Sequence, residues 1–456
     1  MNNKVAETSE KYFVNDGVAV ASGVKKELQK VPKGYVKTEV GVIPNDWSVK
    51  KIGELAEVIR GASPRPKGDK RYYGGKVPRL MVQDVTRDGM YVTPQIDFLT
   101  DAGAKLSRPC KAGTLTLVCS GTVGVPAILS VDACIHDGFL ALIKLVNGIE
   151  RDYLYQFFKT QQDKFDNSAT HGGVFTNLTT DGVREFLVPI PSTVKEQAAI
   201  ANTLSDVDAL ITSLEKLIDK KRAIKTAAMQ QLLTGKKRLP PFDTLNNKDG
   251  TPRYKQTELG EIPEDWEVVT IGSLCSIMTG NTPPTNKPEY YGEDYLFASP
   301  GDLQGQKYVV DTGKKLSEKG FSICRKYPKA SILFTCIGST IGKCGVAGEE
   351  LTSNQQINAV LPSEKIDMDY LYYQLLYTAP LIKQQAGEQA VPIVNKTQFS
   401  EHRVLVPDDL AEQKSISIYL SDMDSELDTL KQHLLKTQQI KQGMMQELLT
   451  GRTRLI

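Results

Sequence analysis

Two ten-residue phrases, TEVGVIPNDW at residues 38–47 and TELGEIPEDW at 257–266, open two stretches of this chain that continue in parallel to its end. Each phrase closes on one of the two tryptophans in the 456-residue sequence, and a large ring behind an Ile-Pro turn reads as a core anchor. Further echoes keep the same order. RYYGG from Arg71 answers EYYGE from Glu289, KAGTLTLVCSGTVG from Lys111 answers KASILFTCIGSTIG from Lys329, and DYLYQF from Asp152 answers DYLYYQL from Asp369. The longest echo ends each stretch: EQAAIANTLSDVD…MQQLLTGKKRL from Glu196 and EQKSISIYLSDMD…MQELLTGRTRL from Glu412. A fixed order at a nearly fixed offset is a tandem duplication of a unit of about 217 residues, so whatever one repeat folds into, the other does too.

Composition narrows the class. The chain is 40% apolar and 24% charged, ordinary for a globular protein with two or three cores. No apolar run approaches the ~18 residues that span a bilayer, and MNNKVAETSEKYF lacks the basic-then-apolar order of a secretion signal. Seven cysteines without a CxxC pair and four histidines fit a reducing cytoplasm and predict neither disulfides nor a metal site. The net charge is only +2, so any nucleic-acid surface must gather its Lys and Arg locally.

Each repeat has two parts. The first, 38–193 and 257–409, is rich in Gly, Pro and Tyr, with short apolar runs such as TLTLV, FLALIKLV and SILFTCI that read as strands between turns. These are α+β domains. After Pro191 and Pro407 prolines stop, and apolar residues fall in steps of four and three at Ile200, Leu204, Val207, Ile211, Leu214 and Ile218. Ile416, Leu420, Met423, Leu427, Leu430 and Leu434 repeat that seam 216 residues on. Both seams turn polar next, at Lys221 and Lys225 and at Thr437 and Lys441, before the apolar pattern resumes and Gly235 and Gly451 end the helices. The expected chain is an N-terminal extension 1–37, a domain 38–193, a helix 194–239, a linker 240–256, a domain 257–409 and a helix 410–456. Two matching seams on one chain predict helices that pack on each other as a coiled coil, in a pseudo-twofold molecule with one α+β domain at each end of the helical spacer. About 35 helical residues give a spacer of about 50 Å, somewhat more than one turn of B-DNA.

The copied I-P-x-D-W entry, the Y-Y-G loop, the K-A-G/S strand before a Gly/Ser turn, Asn354-Gln355 before an apolar strand, and the E-Q-x-x-I…L-S-x-x-D…L-L-T-G helices occur as an ordered set. That set resembles the specificity subunit of type I restriction-modification systems over nearly everything beyond about residue 35. The resemblance implies two target-recognition domains, each reading half of a bipartite, asymmetric DNA sequence, with the two helices forming an antiparallel coiled coil that fixes the unread gap. It implies partners too: two methyltransferase subunits carrying S-adenosylmethionine and acting on adenine N6, and restriction subunits using ATP and Mg2+. It implies no cofactor and no chemistry in this chain.

A search for catalytic motifs agrees. An adenine amino-methyltransferase wants an Asp/Asn-Pro-Pro-aromatic loop, whereas TPPT at 282–285 and PPF at 240–242 lack the leading acid or amide. GSTIGK at 338–343 has three residues between its glycines where a phosphate loop has four, and its counterpart SGTVGV has no lysine. PDDLAEQK at 407–414 supplies the residue types of a magnesium-dependent nuclease. Asp408 and Glu412 are too close in sequence for separate strands, and PSTVKEQ at 191–197 lacks the matching acid, so a helix start with an Asp near the cap explains it better.

DNA contacts are expected first in the basic loop RGASPRPKGDKRYYGGKVPR: Arg60, Ser63, Arg65, Lys67, Lys70, Arg71, Tyr72, Tyr73 and Arg79. Its less basic counterpart offers Asn281, Thr282, Asn286, Lys287, Tyr290 and Tyr291. Further candidates are Ser120, Thr122, Ser339 and Thr340 at the Gly/Ser turns, and His171, Asn177, Gln389, Asn395 and Lys396 near the domain ends. The first repeat has His136-Asp137 where the second has Asn354-Gln355, and neither pair is read as a base contact. The alternative function is a pseudosymmetric protein scaffold without DNA, favoured by the low net charge and opposed by the basic loop.

Overall fold

The computed structural model describes residues 14–15, 18–19, 31–168, 178–244, 253–303, 305–387 and 391–455. Contacts divide the chain into two compact units, residues 1–211 with 437–456, and residues 212–436.

The first unit opens with the hairpin Tyr35–Thr38 and Gly41–Pro44. Its central sheet runs in the order Glu57–Arg60, Phe139–Ile143, Leu115–Val118, Pro126–Leu129, Tyr91–Val92, antiparallel except for the last pair. Leu115–Val118 and Pro126–Leu129 are buried at every residue, which is why they read as unbroken apolar runs. A second sheet orders Arg108–Cys110, Ala133–Ile135, Tyr73–Leu80 and Asp97–Leu99. The helix Arg151–Lys159 buries Tyr153, Leu154, Phe157 and Phe158, and Tyr153 Oη donates to Pro189 O at 2.6 Å.

The second unit repeats that plan. Its hairpin is Tyr254–Thr257 and Gly260–Pro263. Its five-stranded sheet runs Ile277–Thr279, Ile357–Val360, Ile332–Thr335, Cys344–Ala347, Tyr308–Val309, again parallel only in the last pair. The helix Met368–Gln384 covers it, and Tyr370 Oη donates to Leu405 O at 2.9 Å.

Two 39-residue helices, Val194–Leu232 and Leu410–Leu448, each contribute to both units. In the first unit Ile200 and Leu204, near the start of one helix, share a core with Leu448 and Leu449 at the end of the other. In the second unit Ile416 and Leu420 share a core with Leu232 and Leu233. The helices therefore run antiparallel within each unit. Further along, Leu214, Ile218 and Leu427 are buried and Val207, Ile211, Met423, Leu430 and Leu434 half-buried. The lysines that interrupt the seam form ion pairs: Lys221 Nζ lies 2.6 Å from Glu426 and Lys225 Nζ 2.5 Å from Asp424. Lys441 Nζ to Asp208, also 2.5 Å, is that second pair 216 residues on, with the helices exchanging roles.

The repeated opening phrase is explained by where the helices end. Gly235 and Gly451 both take φ of 69°, and a Cβ on either would meet a proline Cδ at 2.5 Å, that of Pro263 or of Pro44. The glycine that closes one repeat thus lies flat on the Ile-Pro turn and tryptophan that open the other. Beyond each glycine an arginine completes the joint. Arg238 binds Glu412 at 2.6 Å and Asp265 at 2.7 Å, while Arg454 binds Glu196 at 2.9 Å and Asp46 at 2.8 Å. Trp266 Nε1 also donates to Glu412 at 3.2 Å, whereas the buried Trp47 Nε1 has no partner among the described residues. The nuclease-like string is accounted for here, since Glu412 belongs to this joint. The helix is capped by Asp409, one residue past Asp408, with Ala411 N donating to its Oδ1 at 2.7 Å. Among the described residues no helix is long and apolar enough to cross a membrane.

Candidate nucleic-acid interface

The sheet order fixes where the candidate residues meet. In the first unit the end of Glu57–Arg60, the end of Leu115–Val118 and the start of Phe139–Ile143 lie at one end of the central sheet, as Arg60 pairs with Leu140 and Val118 with Phe139. Three connections leave from that end: the basic loop after Arg60, the Gly/Ser turn after Val118, and the His136–Gly138 turn. Backbone bonds tie them together, Ala62 N to Ile135 O at 3.1 Å, Cys119 N to Gly138 O at 2.8 Å and Leu178 N to Cys119 O at 2.9 Å. The second unit repeats all three, with Asn281 N to Ser353 O at 3.0 Å, Cys336 N to Gln356 O at 2.8 Å and Val394 N to Cys336 O at 2.9 Å.

Loop and turn approach so closely that no side chain fits between them. A Cβ on Gly61 would lie 2.0 Å from His136 O, and one on Gly280 2.1 Å from Asn354 O. Beside that contact a hydroxyl of each loop donates to the turn: Ser63 Oγ to Asp137 Oδ1 at 2.5 Å, and Thr282 Oγ1 to Gln355 Oε1 at 2.6 Å. The frame is the same and the chemistry differs. Asp137, 53% exposed, is an anion among cations, with Arg60 Nε on its carbonyl at 3.0 Å and Arg65 3.7 Å from its carboxylate. The Ser63 hydrogen bond holds its carboxyl below the usual range, so it is ionised at neutral pH. His136 accepts from Gly138 N at Nδ1. Burial, then Arg79, push its pKa down, so the ring is neutral with its proton on Nε2, which has no partner among the described residues.

The other first-loop candidates divide. Arg65, Lys67, Lys70 and Arg71 are exposed, with Arg71 on Asp69 at 2.6 Å and over the Tyr72 ring. Tyr73 Oη donates to Pro64 O at 2.8 Å and folds the loop back, as Tyr291 Oη does to Pro283 O at 3.0 Å. Arg79 departs from the expectation of a DNA contact. It sits on a strand rather than in the loop, is 4% exposed, and binds Asp97 at 2.6 Å. In the second loop Asn286 and Lys287 are exposed and Lys287 lies over Tyr290, but Asn281 accepts from Arg325 N at 2.8 Å and so staples the loop.

At the Gly/Ser turns Thr122 and Ser339 are exposed and Ser120 and Thr340 half-buried. Asn395 caps the helix Lys396–Glu401 through a capping box with Gln398, leaving Lys396 exposed at its first turn. His171, Asn177 and Gln389 fall outside the described residues. Sequence reasoning missed Asp137 and Gln355. The signal was there, a polar pair before an apolar strand at the same place in both repeats, but only the fold shows that pair meeting the loop.

One domain frame is thus built twice with different polar groups at the same end of its sheet. Comparisons with known proteins name the class. The family described as type I restriction modification DNA specificity domain matches residues 44–225 and 263–442. The chain therefore belongs to that family, whose type I specificity subunits recognise DNA targets and are not themselves catalytic. It is 26% identical to the putative type I restriction enzyme MjaX specificity subunit of Methanocaldococcus jannaschii, across 93% of this chain and 97% of that one. It is 23% identical to the MjaIX specificity subunit of the same organism, across 92% and 96%. Among solved structures, the type I system S subunit from M. genitalium matches with a TM-score of 0.57 at 17% identity, covering 88% of this chain and 96% of that one.

Proposed function

We infer that each unit reads one half of a bipartite, asymmetric DNA target, that the antiparallel helices set the unread gap, and that the helical parts dock two methyltransferase subunits. The observation that carries this reading is the repeated reading end, where Ser63 on Asp137 becomes Thr282 on Gln355 without change of frame. Asp accepts from a cytosine amine and Gln matches adenine, so two such ends address two different sequences. S-adenosylmethionine, and in the full complex ATP and Mg2+, act in partner subunits on this reading, with adenine N6 as the methylated atom and restriction subunits joining for cleavage.

The test is to map methylated adenines genome-wide in cells with and without the gene, then exchange residues 38–193 for those of a relative. One half of the motif should change while the other half and the gap stay. A change in both halves would sink the one-unit, one-half-site assignment. A protein scaffold without DNA would give no methylation difference at all.

The gap has its own test. Seven residues continuing the seam, inserted between Ile211 and Ile218 and again between Leu427 and Leu434, preserve the heptad and add about 10 Å. The same half-sites should then be methylated with a gap about one to three base pairs longer. An active complex with the original gap would show that the helices do not set it.

A further inference from the structure

The second unit holds a cleft of about 700 Å³ between the Gly338–Lys343 turn, the helix Met368–Gln384 and the paired long helices. Five lysines line it, Lys225, Lys307, Lys343, Lys383 and Lys431, against the carboxylates of Asp424 and Asp428. Three of the five have acidic partners: Lys225 on Asp424 at 2.5 Å, Lys431 on Asp428 at 2.8 Å and Lys307 on Asp369 at 2.8 Å. Lys343 and Lys383 have none among the described residues. Their ammonium groups reach only the carbonyls of Pro300 at 3.4 Å and Ser339 at 3.3 Å, longer than a usual N–H···O bond.

The duplication supplies an internal control. Val346 N bonds Lys307 O as Ile128 N bonds Met90 O, and Thr335 N bonds Lys343 O as Val118 N bonds Val125 O. The counterparts of Lys307 and Lys343 are thus Met90 and Val125, and by the repeat offset those of Lys383 and Lys431 are Asp166 and Glu215. Only Lys225 keeps its charge, as Lys441. The frame is satisfied without four of the five lysines, so the fold does not require them, and placing cations together costs free energy unless an anion joins them.

We propose that this cleft is a phosphate-binding site of the second unit, gripping backbone phosphates of the DNA beside the half-site that this unit reads. The proposal rests on the DNA-reading function inferred above. Ser339 and Thr340 line the cleft and stand on the turn that ends at the reading end, so a strand leaving that end passes the lysines next. Contacts of lysine and hydroxyl groups to phosphate fix register and orientation and carry no sequence information. The first unit, with acids at two of these places, grips its DNA elsewhere, chiefly through the basic loop after Arg60.

The experiment compares the full-length chain with its Lys343→Gln, Lys383→Gln, Lys431→Gln triple variant by filter binding to a duplex bearing the mapped motif, across a salt series. Each lost phosphate contact removes about 0.9 from the slope of log affinity against log salt, so the triple variant should lose about 2 to 3 and bind about tenfold or more weakly at low salt. The methylated motif should not change, and the Lys→Arg triple variant should restore the slope. A variant with wild-type slope overturns the site. So does one that keeps the slope but no longer holds the methyltransferase subunit, which would make the cleft a dock for an acidic protein surface. Failure of the wild-type chain to bind DNA would instead overturn the DNA-reading function itself.

Discussion

Replacing Glu412 by alanine is expected to lower the stability of the second unit by about 3 kcal/mol, because truncating one member of a buried ion pair strands the other. Glu412 is fully buried and accepts from Arg238 at 2.8 and 2.6 Å and from Trp266 Nε1 at 3.2 Å. Without it Arg238, 9% exposed, keeps only Asp265, and the indole N–H is left without an acceptor. For a unit of this size the melting transition should fall by about 6–12 °C. The equivalent Glu196→Ala should cost less, by about 1 kcal/mol, because Trp47 makes no such bond and loses nothing. Calorimetry on the two variants decides it. A Glu412→Ala chain that melts with wild type would mean that the joint contributes no net stability.

The second large effect is expected at Gly280. A methyl group there would lie 2.1 Å from Asn354 O and 2.4 Å from Ser353 Oγ, and the carbonyl cannot rotate away as a flexible side chain could. Gly280→Ala must push the 281–291 loop off the turn, at a cost of about 2–3 kcal/mol, and break the Thr282–Gln355 bond that joins loop to turn at the end proposed to read DNA. Methylation by the assembled complex should fall at least about tenfold, while circular dichroism shows the helices intact. Gly61→Ala should do the same in the first unit, where the methyl would lie 2.0 Å from His136 O. A Gly280→Ala complex methylating its motif at the wild-type rate would show that loop and turn need not touch for reading.

Much of this architecture was legible because the sequence states it twice. Periodicity and the last prolines marked where the long helices begin, and Gly235 and Gly451 follow their ends at Leu232 and Leu448, although the expected ranges 194–239 and 410–456 ran on past both. What stayed hidden depended on chain direction in space. Arg79 counts as one more loop cation in sequence, yet the strand Tyr73–Leu80 carries it inside to Asp97. Asn395 looked like a polar reader although the Asn-x-x-Gln spacing of a capping box was in plain view. Arg238 and Glu412 stand 174 residues apart, and nothing local in either segment announces that antiparallel helices bring them together. Lysines of the second unit's cleft were equally invisible, being scattered over five segments whose meeting point only the fold defines.

The way the long helices are shared has a consequence for synthesis. The second unit, residues 212–436, is one uninterrupted stretch, all of it translated before residues 437–456. The first unit needs Leu448, Leu449 and Arg454 from the last twenty residues to complete its core and its joint. Domains generally mature in the order in which they are translated. Here the order inverts: the domain translated first is completed last. A nascent first domain therefore waits, with the Trp47 face open, through the translation of more than two hundred further residues. A premature stop within the final turn of the second long helix would strike the opposite end of the sequence, leaving the adjacent domain whole and the distant one unfinished.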